Sequence, residues 1–342
     1  MPSAPAPRDP SIVFGAEPRR ILVVRLSALG DQILAAPVVD DIHRRWPGCL
    51  VDWAVDERFA SVVRRNAGVE RVHALPLKRA QRTGKLAGVR LLLSAAGALR
   101  RQPYDLVIDL QGLWKSALVS RMARVSPGGL RVGPVPSQCG EPAAARLYDR
   151  RIAVEIDRPD VPERSRALVA AVLGTNPATT PRYGMQGSRR PDPRAPVLLV
   201  HGASREGKRW PDEDWMTVGR ALVAQGHRLA LPWGDPQEKA RSERIAAAVG
   251  AAHCEVAQER QTVEHWLERV AAAPLVVGVD TGFTHFAAAL GTPVVALFMI
   301  TPAWLLRPQA PALARALGGD GLPLPADRVV AAAMELLAAS RA

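Results

Sequence analysis

The stretch Val279-Asp280-Thr281-Gly282-Phe283-Thr284-His285-Phe286 lies between an apolar run and an Ala-rich run. This order predicts a buried strand, a short loop and then a helix. The N-terminus of such a helix presents unpaired backbone N–H groups and the positive end of the helix dipole. Thr281 is expected to cap the helix, and Gly282 lets the backbone approach a ligand closely. With Asp280 and His285 on either side, the turn suits an anionic ligand such as a pyrophosphate.

Apolar runs of strand length alternate with helical segments along the rest of the chain. The predicted strands are 21–26, 50–55, 71–75, 106–110, 197–200, 227–231, 254–256 and 275–279. The predicted helices are 32–46 with a break at Pro37, 57–65, 85–100, 113–124, 164–173, 211–225, 236–249, 262–272 and 327–338. This alternation is typical of βαβ units and predicts an α/β fold with mainly parallel sheets.

The length of 342 residues favours two domains over one core. Prolines become dense between about residues 155 and 196, which predicts a boundary there. The predicted segments are an extension (1–19), a first Rossmann-like domain (20–172), a linker (173–196), a second Rossmann-like domain (197–325) and a terminal helix (326–342). The sequence leaves open which of the two domains the terminal helix packs on. Two such domains are expected to face a central cleft, into which the carboxyl ends of their strands point.

The net charge of +12 implies attraction to a polyanion. Between Arg58 and Arg101 there are eleven Lys or Arg residues and a single acid, Glu70. Charge alone leaves nucleic acid, an anionic membrane and a phosphorylated substrate open. The basic stretch lacks the interleaved aromatic residues that a single-strand nucleic-acid binder uses for stacking, so no nucleic-acid partner is expected.

Several site classes lose support from the sequence. The three cysteines form no CxxC pair and the seven histidines show no HxxxH spacing, so no metal is expected. There is no GxSxG and no GxGxxG after the first strand, which argues against hydrolases and dinucleotide oxidoreductases. No apolar run reaches membrane-spanning length, and the first 18 residues lack the apolar core of a signal peptide. A cytoplasmic protein, soluble or peripheral, is therefore expected.

Three further loops follow predicted strands. Asp31 lies in the first, either as a helix N-cap or as a general base facing the cleft. Ser204 and Lys208 lie in the second, which is either a loop that binds a phosphate or a surface loop whose basic side chains are simply solvated. The third, 231–238, contains acids suited to ribose hydroxyls or to capping a helix. His285 likewise either contacts a ligand or packs against the first helical turn.

Five motifs together resemble the bacterial ADP-heptose:lipopolysaccharide heptosyltransferases. They are Arg25-Leu26-Ser27-Ala28-Leu29-Gly30-Asp31, Asp109-Leu110-Gln111-Gly112-Leu113-Trp114-Lys115-Ser116, Lys208-Arg209-Trp210-Pro211, Leu231-Pro232-Trp233-Gly234 and Gly278-Val279-Asp280-Thr281-Gly282-Phe283-Thr284-His285. The match runs from about residue 20 to about residue 308. Five motifs in the same order are far more specific than one, and several phrases are most similar to the type I enzymes, which add the first heptose to Kdo-lipid A.

The resemblance implies a GT-B fold and an inverting transfer that needs no metal or other cofactor, with ADP-heptose as donor. Asp31 matches the proposed base, which takes a proton from a Kdo hydroxyl. The donor residues implied are Ser204 and Lys208 at the pyrophosphate, Glu238 near the ribose, and Asp280, Thr281, Gly282 and His285 at the phosphates and the heptose. The helix N-terminus and the lysine would then stabilise the leaving diphosphate in place of a metal ion.

The resemblance also gives the basic stretch a partner. Kdo-lipid A is polyanionic and lies at the cytoplasmic face of the inner membrane, so peripheral docking on that surface is expected. The residues expected to steer the acceptor are Lys78, Arg79, Arg82 and Lys85. The chain departs from the family at Ala203, Cys139 and the turn 298–302. Another heptosyltransferase of the family, or a non-catalytic nucleotide-binding protein, stays as an alternative.

Overall fold

The computed structural model describes residues 17–155, 161–176, 180–185, 187, 189–203, 205–306, 308, 310–319 and 321–340. Of the predicted site residues, Ser204 lies outside the described residues, as does the side chain of Lys85. Most of the predicted extension, residues 1–16, also lies outside them. The chain divides into two compact units, Met1–Gly184 and Met185–Ala342, and this division falls within the proline-rich segment.

The first unit contains one six-stranded sheet with helices between its strands. Its strands are β1 (Arg20–Val24), β2 (Leu50–Asp56), β3 (Arg71–Leu75), β4 (Tyr104–Asp109), β5 (Val125–Pro134) and β6 (Arg150–Ile152). Its helices are α1 (Leu29–Ala35), α2 (Pro37–Arg45), α3 (Ala60–Val63), α4 (Leu77–Arg82), α5 (Lys85–Leu99), α6 (Trp114–Met122) and α7 (Val161–Leu173). The strand order is β3-β2-β1-β4-β5-β6, and every pairing is parallel.

The second unit repeats this architecture. Its strands are β7 (Val197–Val200), β8 (Leu229–Ala230), β9 (Cys254–Glu255), β10 (Val276–Val279), β11 (Val294–Phe298) and β12 (Ala314–Gly318). Its helices are α8 (Asp212–Ala224), α9 (Pro236–Val249), α10 (Val263–Ala272), α11 (Gly282–Leu290) and α12 (Ala326–Ala339). The order is β12-β11-β10-β7-β8-β9, again with parallel pairings throughout. The predicted α/β class with parallel sheets is confirmed.

In each sheet the first strand of the unit lies beside its fourth strand. β1 pairs with β4 and β7 pairs with β10, and all four strands are almost completely buried. In an open parallel sheet this is the point where the direction of strand addition reverses, and ligands bind in the crevice beyond the carboxyl ends of the strands there. The loops that follow these four strands are therefore where a site is expected in each unit.

The structure answers two questions that the sequence raised: whether the first helix breaks at Pro37, and which unit the last helix packs on. The predicted break at Pro37 is confirmed, because α1 ends at Ala35 and α2 starts at Pro37. The last helix, α12, packs on the second unit, where Val329, Ala333 and Leu336 join the buried core. Among the described residues, no helix combines the length and the apolar character that crossing a bilayer requires.

Candidate active site

Asp31 lies at the carboxyl edge of the first sheet, as the third residue of α1. Its Oδ2 accepts a hydrogen bond from Arg25 Nη2 at 2.6 Å and another from the backbone N of Ala28 at 3.1 Å. The side chain remains 32% exposed. The N-cap residue is Ala28, so Asp31 is a first-turn carboxylate that reaches back to the cap and still faces solvent.

Arg25 fixes the position of Asp31. Its side chain is buried, and its Nη1 donates to the carbonyl oxygen of Leu110 at 2.8 Å while Nη2 holds the carboxylate. One guanidinium therefore ties the end of β1 to the end of β4 and orients Asp31 between them. Sequence analysis gave Arg25 no role, because the residue fell inside the predicted strand 21–26; a charged residue within that apolar run was the available signal.

The second motif lies against the first. Gln111 Oε1 accepts from the backbone N of Leu26 at 2.8 Å, and its Nε2 donates to Ser27 Oγ at 3.1 Å. Lys115 Nζ donates to the same Ser27 Oγ at 3.0 Å and is exposed. The loop that leads to Asp31 is thus held from the β4 side, with an ammonium group beside it. Gln111 and Lys115 are site residues that sequence analysis quoted in a motif without assigning a role.

Asp109 holds the turn that carries Gln111. It is fully buried and accepts hydrogen bonds from the backbone N of Gln111 at 2.8 Å, from that of Gly112 at 3.2 Å and from Tyr148 Oη at 2.8 Å. Burial raises the pKa of Asp109, although these hydrogen bonds act in the opposite direction. A buried carboxyl that accepts these three hydrogen bonds, two of them from the loop backbone, is a positioning group for the loop after β4.

In the second unit, three side chains converge on Asp280 after β10. Lys208 Nζ lies 2.5 Å from Asp280 Oδ2, Thr301 Oγ1 donates to the same oxygen at 2.8 Å, and His285 Nε2 lies 2.9 Å from Oδ1. Burial opposes ionisation of Asp280, but the hydrogen bonds and charges of His285 and Lys208 outweigh it, so the pKa of Asp280 lies far below its usual range. The loops after β7, β10 and β11 therefore meet around one carboxylate.

The predicted cap of α11 is wrong in its detail. Thr281 occupies the N-cap position in an extended conformation, but its side chain makes no capping hydrogen bond. Its Oγ1 lies 3.3 Å from Thr284 Oγ1, which donates to the carbonyl oxygen of Val279 at 2.7 Å. The first-turn N–H groups that start at Gly282 thus donate no hydrogen bond to the side chain of the cap residue, which favours an anion at this helix end.

Glu238 lies at the next strand end. Its Oε2 accepts from the backbone N of Gly234 at 2.7 Å, while Asp235 caps α9 by accepting from the backbone N of Glu238 at 2.9 Å. Gly202, after β7, lies so close that a Cβ there would be 2.5 Å from Glu238 Oε1. The loop after β7, which is predicted to bind phosphate, therefore lies next to Glu238, the acid predicted near the ribose. Of the acids in 231–238, it is Asp235 that caps the helix.

The loop after β11 completes this cluster. A Cβ on Gly207 would lie 3.2 Å from Ile300 Cδ1, so the loop that carries Lys208 packs against the residue before Thr301. Thr301 was missed as a site residue; sequence analysis noted its turn only as a departure from the family. A hydroxyl after an apolar run of strand length was the signal, but 294–298 was not assigned as a strand.

The predicted acceptor residues lie elsewhere on the first unit. Lys78, Arg79 and Arg82 belong to α4, which follows β3 at the same sheet edge as Asp31 but two strands away from β1. Arg79 Nη2 pairs with Glu57 Oε2 at 2.9 Å on the surface. Lys85 is the first residue of α5. Among the described side chains, no group of three or more His, Cys, Asp and Glu residues is arranged to hold a metal ion.

The chain is similar to known proteins in both sequence and fold. Residues 92–318 match the model of glycosyltransferase family 9 (heptosyltransferase). Lipopolysaccharide heptosyltransferase 1 of Escherichia coli K12 is 34% identical over 286 residues, which cover 82% of this chain and 87% of that protein. The structure of E. coli heptosyltransferase WaaC with ADP is similar at a TM-score of 0.76 and 31% identity, covering 91% of this chain and 97% of that one.

The structure of the same E. coli enzyme with ADP-2-deoxy-2-fluoro heptose is similar at a TM-score of 0.73 and 30% identity, with the same coverage of 91% and 97%. The predicted GT-B fold class, with two Rossmann-like parallel-sheet domains, is thereby confirmed. The chain is an enzyme, a glycosyltransferase. It belongs to glycosyltransferase family 9, the heptosyltransferases.

Proposed function

We propose that this heptosyltransferase moves a heptose from ADP-heptose to a Kdo residue of Kdo-lipid A, in the assembly of the lipopolysaccharide inner core. The observation that carries the proposal is the pair of polar clusters at the two strand-order reversals, one built on Asp31 and the other on Asp280. The first offers a carboxylate that can accept a proton, and the second offers a cation and a helix N-terminus suited to a diphosphate.

In the proposed reaction, the diphosphate lies at the start of α11. Charge on the ADP leaving group grows as the anomeric C–O bond breaks, and Lys208 with the first-turn N–H groups stabilises that charge. His285 and Thr301 keep Asp280 in place and thereby hold Lys208 at the phosphates. We propose that these groups perform the role that a metal ion has in other transferases, so that no metal is needed.

Asp31 is the proposed general base. Its solvent-facing carboxylate accepts the proton of the Kdo hydroxyl as that oxygen attacks the anomeric carbon from the face opposite ADP. Arg25 orients this carboxylate, and the exposed ammonium group of Lys115 beside Ser27 suits the carboxylates of the acceptor. The glycosidic bond forms with inversion, and ADP and a proton leave.

The donor and the site of action follow from the same proposal. A bound ADP-2-deoxy-2-fluoro heptose in the similar E. coli structure supports ADP-heptose as donor. Because the acceptor is a polyanionic lipid, we place the enzyme at the cytoplasmic face of the inner membrane, with Lys78, Arg79, Arg82 and Lys85 steering the acceptor. We propose no nucleic-acid partner, because the basic stretch lacks the interleaved aromatic residues that stack on bases.

The test is direct. The protein is incubated with ADP-heptose and Kdo-lipid A without added metal and with a chelator, and the product is analysed by mass spectrometry. We expect a mass increase of one heptose. Transfer only to an acceptor that already carries a heptose would replace the type I assignment with type II, and transfer that requires an added divalent ion would disprove the metal-free mechanism.

A further inference from the structure

Helix α5 presents an apolar stripe to solvent. Leu86, Val89 and Leu93 are 71%, 53% and 65% exposed, and their spacing of three and four residues puts them on one side of the helix. The opposite side is packed, because Leu99 is buried and a Cβ on Gly88 would lie 2.4 Å from the carbonyl oxygen of Ala80 in α4. The stripe therefore lies on the outer face of a helix whose inner face is already occupied.

Such a face is unusual for a surface helix. A surface helix of a soluble domain carries charged and polar residues on the side opposite the core. In α5 the only charged residues are Lys85 and Arg90. Large exposed apolar patches mark sites of interaction with a protein or a membrane.

The stripe lies within a basic stretch of the chain. Residues 71–104 contain no acid. Lys78 and Arg82 are exposed on α4, and Arg90 and Arg100 are exposed on and just after α5. Arg79 forms an ion pair with Glu57, which compensates one of the positive charges near this surface. The surface thus combines apolar side chains with excess positive charge.

We propose that this surface, α4 with the outer stripe of α5, docks on an anionic membrane. The leucines and Val89 enter the boundary between lipid headgroups and acyl chains, and the basic side chains contact lipid phosphates, which is the pattern of helices that lie in a membrane interface. The inference deepens the proposed function by naming the part of the chain that meets the membrane in which the acceptor is anchored.

Charge complementarity selects this occupant over a second copy of the chain. A symmetric pair formed through the stripe would bring two like-charged basic surfaces together, and that juxtaposition is unfavourable. An anionic bilayer offers apolar depth and opposite charge at once. The proposed docking surface also begins at the sheet edge that carries Asp31. Helix α4 follows the carboxyl end of β3, and α5 then runs back to the start of β4.

The experiment measures sedimentation of the full chain with vesicles of phosphatidylethanolamine and phosphatidylglycerol at about 70:30. We expect the triple variant Leu86→Ser, Val89→Ser and Leu93→Ser to bind at least about tenfold more weakly than the wild type, since it removes the inserted apolar groups. Leu322→Ser is the matched control, because Leu322 is also 71% exposed but lies in the second unit; its binding should equal that of the wild type. Phosphatidylcholine vesicles, or about 0.5 M salt, should also weaken wild-type binding about tenfold.

Three results would overturn the proposal: undiminished vesicle binding by the triple variant, equal wild-type binding to phosphatidylcholine vesicles, or a wild-type dimer in sedimentation velocity that the triple variant converts to monomer. Two further measurements separate docking from folding and catalysis. Thermal unfolding and heptose transfer to a de-acylated, water-soluble acceptor should be unchanged in the triple variant, and loss of either would assign the stripe to the fold or the site instead. A wild type that binds vesicles but transfers no heptose would refute the proposed function and leave the docking surface in place.

Discussion

Arg25 Nη2 lies 2.6 Å from Asp31 Oδ2, while Nη1 of the same guanidinium is bonded to the carbonyl oxygen of Leu110. The proposed base is therefore held, through Arg25, by the backbone just after β4 as well as by the start of its own helix. A carboxylate fixed in this way loses little freedom when the acceptor arrives, which is the condition for efficient proton transfer from a bound hydroxyl.

The first prediction concerns Asp31 itself. Asp31→Asn keeps the size and polarity of the side chain but cannot accept the proton, so kcat should fall about 100-fold or more. ADP binding, measured by titration calorimetry, should be unchanged because the nucleotide site that we propose lies in the second unit. Asp40→Asn is the control, since Asp40 is 28% exposed and is likewise paired with an arginine, Arg44. Near-normal turnover of Asp31→Asn would remove the base assignment.

The second prediction separates positioning from binding. Arg25→Gln removes the fork that joins Asp31 to Leu110, so kcat should fall about tenfold while KM for ADP-heptose stays the same. Arg25→Lys retains one of the two contacts and should recover part of the loss. Steady-state kinetics on both variants provide the test. An increase in KM for the donor with kcat unchanged would assign Arg25 to substrate binding.

The third prediction concerns the phosphates. Lys208→Ala removes the ammonium group that lies beside the start of α11, and the Kd for ADP should rise about tenfold or more, with a matching loss of kcat/KM. Calorimetry with ADP and kinetics with ADP-heptose measure the two effects. Arg220→Ala, on the exposed face of α8, removes a positive charge from the same unit and should change neither. Unchanged donor kinetics in Lys208→Ala would mean that the diphosphate binds elsewhere.

The fourth prediction is a pH dependence of stability. The folded-state pKa of Asp280 is lowered, so its ionised form stabilises the fold above the unfolded-state value of 3.8, and this contribution disappears as the pH falls below about 4. At neutral pH, Asp280→Asn should lower the free energy of unfolding by about 2 kcal/mol. The difference from the wild type should stay constant from neutral pH down to about pH 5 and shrink below about pH 4, in urea titrations followed by tryptophan fluorescence. A difference that grows towards low pH would contradict the ionised form as the stabilising one.

The fifth prediction uses a glycine. In Gly202→Ala the new methyl group would meet Glu238 Oε1 at 2.5 Å, and the carboxylate must move because it is the flexible end of its side chain. If Glu238 contacts the ribose, KM for ADP-heptose should rise about fivefold or more with little change in kcat. Gly48→Ala is the matched control, since nothing lies within 4 Å of its Cβ position. Identical KM values in the two variants would remove Glu238 from the donor site.

Much of the fold was predictable because strong local patterns agreed with it. The predicted bounds of β3, β7 and α9 match the structure, and those of α5 and α10 differ by one residue. Two other strands, β5 and β12, had no such pattern. β5 contains Pro127, Gly128 and Gly129 and shifts register against β4, so its sequence reads as a turn. The edge strand β12 is short and half-buried, which leaves no apolar run to detect.

The site was predictable in its loops but not in its contacts. A polar residue after a buried strand indicates the right edge of a sheet, and this rule found Asp31, Lys208 and Asp280. It cannot tell which side chains bond to which, because neighbouring strands in the sheet are far apart in sequence. Arg25 with Leu110 and Thr301 with Asp280 are pairs of this kind. Ser204 stays a prediction, since it lies outside the described residues.

The contact between Lys208 and Asp280 bears on turnover. The carboxylate of Asp280 compensates the ammonium charge of Lys208, so a diphosphate bound as we propose would share Lys208 with Asp280 and gain less than it would from an unpaired cation. The same competition acts on ADP once the sugar has been transferred. In the proposed reaction, the attraction of Asp280 for Lys208 would then favour dissociation of ADP and free the enzyme for the next cycle.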